Sequence, residues 1–340
     1  GRNLVVALDG TMNQFGLKNT NVVEIYARIE QNNEQLKYYS SGIGTYANPS
    51  RKHTWTLLKT KMESSIDLAI AWNFEKIILA AYRWLSENYK PGDQIFLFGF
   101  SRGAYQARVL AGMIDEVGLI NPGNEEQIPY SRKVMETNEP LTRVFKTTFS
   151  RTDAKVHFLG VWDTVSSVGL TRSSRHLRNT QTVHHVCYFR HALALDERRV
   201  KFSPEDILRS WSFGQGNTSD INGSNANSSL QYTRSEQPCS LANGKHCTSC
   251  IRLHQRNDDN ERRKEVWFAG CHSDLHGISA IWMANEAQAK GLKMTISEAE
   301  LDPDKFKKQD PKESLKSGWW LLELLPFFSR KEDFPKRHRW

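Results

Sequence analysis

The chain of 340 residues carries 46 Lys and Arg against 38 Asp and Glu, a net charge of +8, with 39 % hydrophobic and 25 % charged residues. That is globular composition and excludes wholesale disorder and fibrous repeats. No apolar run reaches the roughly 18–20 residues of a spanning helix, which excludes an α-helical membrane span.

The basic clusters Arg51-Lys52-His53, Arg262-Arg263-Lys264 and Lys336-Arg337-His338-Arg339 read first as solvated surface, and second as attraction to an anionic membrane surface or acidic substrate. No zinc-finger array, helix-turn-helix signature or aromatic–basic ribonucleoprotein motif is present, so nucleic acid is not an expected partner. Five cysteines are too few for a disulfide-built fold. The opening residues are too short an apolar stretch for a signal peptide and run straight into a motif. A cytoplasmic or membrane-peripheral location is favoured, without excluding export.

Leu4 to Leu8 is a β-branched apolar run stopped by Asp9-Gly10, which predicts a buried parallel strand. Asn19 to Ile29 spaces Val22, Val23, Ile25, Tyr26 and Ile29 as on a helix, and Leu36 to Tyr39 reads as a strand. Thr54 to Tyr89 is mostly helical, with Ile77, Ile78, Ala81, Trp84 and Leu85 on one face, until Pro91-Gly92-Asp93 breaks it. Gln94 to Phe100 is a strand, and Ser101 to Val117 a helix ended by Gly118. Lys155 to Trp162 is a strand closed by Asp163. His184 to Leu195 reads as helical or mixed, placing His184, His185 and His191 in a core or interface helix. Lys264 to Ala269 is the last strand, followed by a helix from Ile278 to Lys290.

This alternation predicts an α/β fold, a mostly parallel sheet covered by helices on both faces. The expected organisation is a single domain over residues 1–340. Residues 203–263 form a polar, partly flexible insertion, and residues 315–340 an apolar then basic C-terminal segment. The insertion holds N-x-Ser/Thr sequons at Asn217, Asn222 and Asn227, which an Asn/Ser-rich loop also generates by chance.

The sharpest chemical signal is Gly99-Phe100-Ser101-Arg102-Gly103, between an apolar strand and an amphipathic helix. A nucleophilic serine on such a turn needs a strained backbone, and small flanking residues relieve the crowding. A bland alternative is a helix N-cap serine. A serine nucleophile needs a base and an orienting acid. Asp163 and His272 each lie just past the end of a predicted strand, as Ser101 does, and the order Ser, Asp, His is that of α/β-hydrolases. Asp274 competes for the acid, although it is better placed to cap the following helix, and His276 competes for the base.

Asp9-Gly10-Thr11-Met12-Asn13 follows the first strand. A haloacid-dehalogenase phosphatase would need a carboxylate where Ala7 stands, so that chemistry is excluded. The preferred reading is an oxyanion loop, in which N–H groups around Gly10 and Thr11 join that of Arg102 while Asp9 fixes the loop; a simple Asx turn is the alternative.

These residues fall into ordered blocks: Leu8-Asp9-Gly10-Thr11-Met12-Asn13, Gly42-Ile43-Gly44-Thr45, Gly99-Phe100-Ser101-Arg102-Gly103-Ala104-Tyr105, Gly160-Val161-Trp162-Asp163-Thr164-Val165, His191 through Arg199, and Glu265 through Asp274. In them the chain resembles an uncharacterised α/β-hydrolase domain family that includes the catalytic domains of type VI secretion phospholipase effectors, with many fungal members. The resemblance covers most of residues 3–290. It implies a lipolytic Ser-His-Asp hydrolase with Ser101 as nucleophile, Asp163 as acid and His272 as base; Asp9 and Asp274 are read from their positions as supporting residues. One departure stands beside the base. The family usually continues His-Ser-Asp with a hydrophobic residue and two glycines, whereas this chain has Leu275-His276-Gly277.

Cys239, Cys247, Cys250 and His254 have a spacing that suits a structural zinc site, a disulfide or unpaired thiols. Trp319 to Phe328, followed by basic residues, suits either a membrane interface or a helix packed on the domain. The expected function is hydrolysis of a carboxylic ester, a lipid or phospholipid, through an acyl-enzyme and without a required cofactor. A small-ester esterase or thioesterase, and a non-catalytic binding scaffold, fit the same fold.

Overall fold

The structure is a computed structural model that describes residues 1–10, 19–42, 59–135, 139–165, 183, 185–199, 259–275 and 277–295. In chain order, β1 (Asn3–Leu8), α1 (Asn21–Arg28), β2 (Gln35–Ser40) and α2 (Lys59–Asn88) lead to β3 (Gln94–Phe100) and α3 (Arg102–Val117). A short antiparallel pair, β4 (Leu119–Ile120) with β5 (Ser150–Arg151), brackets α4 (Ile128–Met135) and α5 (Glu139–Phe149). The chain returns through β6 (Val156–Trp162) and β7 (Val186–Ala194), then α6 (Asp259–Arg262), β8 (Arg263–Phe268) and α7 (Ile278–Gln288).

Six of the strands form one sheet in the order β2-β1-β3-β6-β7-β8, and every neighbouring pair is parallel. Parallel strands need crossovers, and the helices that supply them cover both faces of the sheet. Side chains alternate accordingly. Leu4, Val6 and Leu8 of β1 join one buried cluster with Ile78, Tyr82, Leu110 and Ile114 of α2 and α3. Val5 and Ala7 join the opposite cluster with Val22 and Ile25 of α1 and Met283 and Ala284 of α7. This is the expected α/β architecture, a parallel sheet covered by helices on both faces.

The segment expected to be helical or mixed is instead the interior strand β7, between β6 and β8, and all nine of its residues are buried. His191 therefore lies on a strand, not on a helix. Two polar side chains interrupt this strand. Arg190, fully buried, donates from Nε to Glu286 Oε2 at 2.5 Å and from Nη2 to the Glu261 carbonyl at 2.9 Å. A buried guanidinium is tolerable when paired and hydrogen-bonded in this way, and the ion pair ties α7 to β7. The helices α4 and α5 had no counterpart among the predicted elements. The polar insertion lies outside the described residues up to residue 258, and the C-terminal segment lies outside them entirely.

Candidate active site

Three strand ends converge. Ser101 follows β3 and opens α3, Asp163 follows β6, and His272 lies in a single 3₁₀ turn (His272–Asp274) after β8. In parallel sheets the carboxyl ends of the strands share one edge, which is where such residues meet.

Ser101 has φ 58 and ψ −121, a conformation that L residues rarely adopt. The turn fits only because its neighbours lack side chains. A Cβ on Gly99 would lie 2.5 Å from the Gly103 carbonyl oxygen, and one on Gly103 would lie 2.3 Å from the Leu8 carbonyl oxygen. The two glycines are thus demanded by close backbone approach. The Ser101 N–H donates to the Trp162 carbonyl at 3.0 Å, which locks the turn to the end of β6.

The Ser101 Oγ lies 2.8 Å from His272 Nε2, and His272 Nδ1 is hydrogen-bonded to Asp163 Oδ2. A carboxylate only accepts, so Nδ1 carries the proton, Nε2 is left as acceptor, and the serine hydroxyl donates to it. All three residues are buried. Asp163 has φ 42, and its remaining oxygen, Oδ1, accepts from the Ala194 N–H at 3.1 Å. Asp tolerates such left-handed backbone better than most residues. The Phe100 ring stacks on the His272 imidazole, with centroids 4.8 Å apart.

Asp9, also buried, accepts from the Gly10 N–H at 2.7 Å, from Thr20 Oγ1 at 2.9 Å and from the Tyr39 hydroxyl at 3.0 Å. It pins the start of the loop after β1 to the N-cap of α1 and to the end of β2. The Gly10 N–H, expected among the oxyanion donors, donates here to the Asp9 carboxylate. Thr11 lies outside the described residues. Arg102 opens α3, so its N–H belongs to the first turn, where a helix leaves its amides without intrahelical acceptors. Burial holds its guanidinium below the usual arginine range.

Asp274 ends the 3₁₀ turn, and the residue capping α7 is Gly277 rather than Asp274. His276, Cys239, Cys247, Cys250 and His254 lie outside the described residues.

Two supports stand beside these residues: His191, expected only in a hydrogen-bonded structural role, and the run after β7, for which no role was expected. His191 Nε2 faces the Thr164 N–H at 3.3 Å and Oγ1 at 3.2 Å, and His191 Nδ1 faces Glu265 Oε1 at 2.8 Å. This pair holds the residue immediately after Asp163. The second support is Asp196-Glu197-Arg198-Arg199, which follows β7. Asp196 Oδ2 accepts from the Gly270 N–H at 2.7 Å, and Glu197 Oε2 accepts from the His272 N–H at 3.1 Å. A charged run directly after a buried strand was the available signal.

The model of the family described as T6SS, phospholipase effector Tle1-like, catalytic domain matches residues 2–289. The chain belongs to this family. An uncharacterised protein of Saccharomyces cerevisiae is 37 % identical over 219 residues, covering 59 % of this chain and 32 % of that protein. The chain thus spans about a third of the length of that relative. A crystal structure of an uncharacterised Pseudomonas aeruginosa protein aligns with 14 % identity over 90 % of this chain and 48 % of its own, with a TM-score of 0.39. The structure of the Tle1 effector bound to the VgrG spike from the type 6 secretion system aligns with 17 % identity over 59 % of this chain and 46 % of its own, with a TM-score of 0.33.

Proposed function

We propose that the chain is a serine hydrolase that cleaves carboxylic esters of lipids, phospholipids foremost, by acyl transfer to Ser101. The observation that carries this reading is the continuous hydrogen-bonded relay from Asp163 through His272 to a serine held at positive φ on a strand-to-helix turn. An N-cap serine does not need that backbone, and Ser101 makes no side-chain capping bond. Membership of a phospholipase effector family supports the choice of lipid ester over other acyl substrates.

In this reading Ser101 Oγ attacks the ester carbonyl carbon while its proton passes to His272 Nε2. Asp163 holds the tautomer and stabilises the imidazolium. Negative charge develops on the carbonyl oxygen, and the N–H of Arg102 at the positive end of α3 is the donor best placed to meet it. Collapse expels the alcohol, which takes the proton from Nε2. A water molecule then repeats the sequence on the acyl-enzyme, with His272 first as base and then as acid.

The test is release of fatty acid from phosphatidylcholine vesicles, run beside hydrolysis of a short p-nitrophenyl ester. Release from both lipid and short ester by the wild type, lowered roughly 10³-fold or more in Ser101→Ala and His272→Ala, is the expected result. Hydrolysis of the short ester alone would favour an esterase or thioesterase. Neither activity from the folded wild type would favour a binding scaffold.

A further inference from the structure

The segment that leaves β7 contains a carboxylate with at least four hydrogen bonds. Glu197 Oε1 accepts from the Arg199 N–H at 2.7 Å and from Arg199 Nε at 2.9 Å. Glu197 Oε2 accepts from Arg199 Nη2 at 2.8 Å and from the His272 N–H at 3.1 Å. Glu197 is only 4 % exposed. A buried carboxylate is costly unless its lone pairs are filled, and this one is filled by a bidentate guanidinium, a neighbouring amide and one distant amide. Three of the four donors belong to Arg199, two residues away, and build a rigid local clasp. The fourth is the backbone of His272, 75 residues further along the chain.

The rest of the segment is attached to the same loop. The Asp196 N–H donates to the Gly270 carbonyl at 3.0 Å, and the Gly270 N–H donates back to Asp196 Oδ2 at 2.7 Å. The loop from Gly270 to His272 is therefore held at both ends by consecutive residues of the β7 extension. The N-terminal flank of His272 has no helical or strand ladder to fix it, because β8 stops at Phe268 and Cys271 precedes a single 3₁₀ turn with no side-chain cap. The imidazole must stand at once within reach of Ser101 and Asp163, and a displacement of about 1 Å in such a constellation costs on the order of 100-fold in rate.

We propose that Glu197, clamped by Arg199, is a positioning residue for the base: its bond to the His272 N–H sets where the imidazole stands between Ser101 and Asp163. The proposal rests on the reading of His272 as the base of a serine hydrolase. Burial pushes the Glu197 carboxyl up, but the Arg199 and His272 donors outweigh it and hold the group below the ordinary carboxylate range, so the clasp is charged at neutral pH. The bonds to Glu197, and then the nearby Cys271 and Asp163, raise Arg199 above its ordinary value.

The test is the kinetics of inactivation by a fluorophosphonate, resolved into kinact and KI, on wild type, Glu197→Ala and Glu197→Gln, with Ser101→Ala as the blank. The low-field proton NMR signal of the imidazole N–H between His272 and Asp163 is recorded on the same samples. Glu197→Ala is expected to lower kinact by about 10-fold or more, leave KI within about 2-fold, and shift or broaden the low-field signal. Glu197→Gln keeps one acceptor oxygen for the His272 N–H and is expected to fall between the two. Folded Glu197→Ala with wild-type kinact and an unmoved low-field signal overturns the proposal. Should Glu197→Ala not fold, the near-isosteric Glu197→Gln decides: wild-type kinact and signal overturn the proposal, and a lowered kinact with a moved signal supports it. Folded wild type that fails to react overturns the reading of the site and the proposal together, whereas a wild type that reacts isolates the question of Glu197.

Discussion

The phenyl ring of Phe100 lies over the imidazole of His272, with the ring planes 28° apart and the centroids 4.8 Å apart. Phe100 is the residue before the candidate nucleophile, so the turn that strains Ser101 also supplies a wall for the base. An aromatic face favours a cation above it, here the imidazolium of the proposed mechanism, by roughly 0.5–1 kcal/mol. Phe100→Leu keeps apolar bulk but loses that face. The expected outcome is a loss of a few-fold in kcat/KM for ester hydrolysis with little change in thermal midpoint, measured side by side on the two proteins.

Gly103 touches the end of β1 more closely than any side chain permits. A Cβ there would stand 2.3 Å from the Leu8 carbonyl oxygen and 2.5 Å from that of Asp9. Both neighbours are backbone of a buried strand end and cannot swing aside. Gly103→Ala is therefore expected to cost about 3 kcal/mol, read as a lowered midpoint in urea unfolding. An unchanged midpoint would contradict the close approach of α3 to β1.

Ser101 carries strain that its proposed role as nucleophile requires and its stability does not. Its φ of 58 costs an L residue roughly 1–3 kcal/mol, which glycine escapes. Glycine gives back about 0.4–1 kcal/mol through the entropy of the unfolded chain. Ser101→Gly is thus expected to be inactive and about 1 kcal/mol more stable than Ser101→Ala, measured by chemical denaturation.

His157, on β6, is buried between the rings of Phe96 and Tyr188, with Nε2 at 2.9 Å from the Lys290 carbonyl. Burial pushes its pKa down, the Lys290 carbonyl opposes this, and the Lys290 charge adds to it. A histidine whose folded pKa is depressed contributes stability that is full above its unfolded value, about 6.5, and is lost as the pH falls from there through the folded value. Thermal midpoints are expected to fall on acidification below about pH 6.5. His157→Gln, which keeps a donor for the Lys290 carbonyl and does not titrate, is expected to flatten that slope. An equal slope in both proteins would sink this assignment.

The candidate site was legible wherever a chemical residue follows an apolar run. Ser101, Asp163 and His272 each come just after a strand whose residues declare it, and the parallel topology then brings those ends together. The misreading of β7 has a specific cause. Arg190 and His191 interrupt its apolar run, and Ala192, Leu193 and Ala194 are as acceptable in a helix as in a strand. Both polar residues are satisfied by partners far along the chain, Arg190 by Glu286 and His191 by Glu265, separated by 96 and 74 residues. No local pattern contains that information. Glu197 was hidden for the same reason, since its distant partner is a backbone amide, which leaves no trace in residue type. The contact of the Asp9 carboxylate with the adjacent Gly10 N–H is local, and Asp-Gly in sequence already allowed for it.

The central claim is that Ser101 is made nucleophilic by His272 and Asp163. The most direct measurement is mass spectrometry of the fluorophosphonate-treated protein, locating the adduct by peptide. The account predicts one adduct per chain, on the peptide that contains Ser101, formed quickly by the wild type, absent from Ser101→Ala and strongly slowed in both His272→Ala and Asp163→Ala. An adduct on another residue, or folded wild type that carries none, would contradict it.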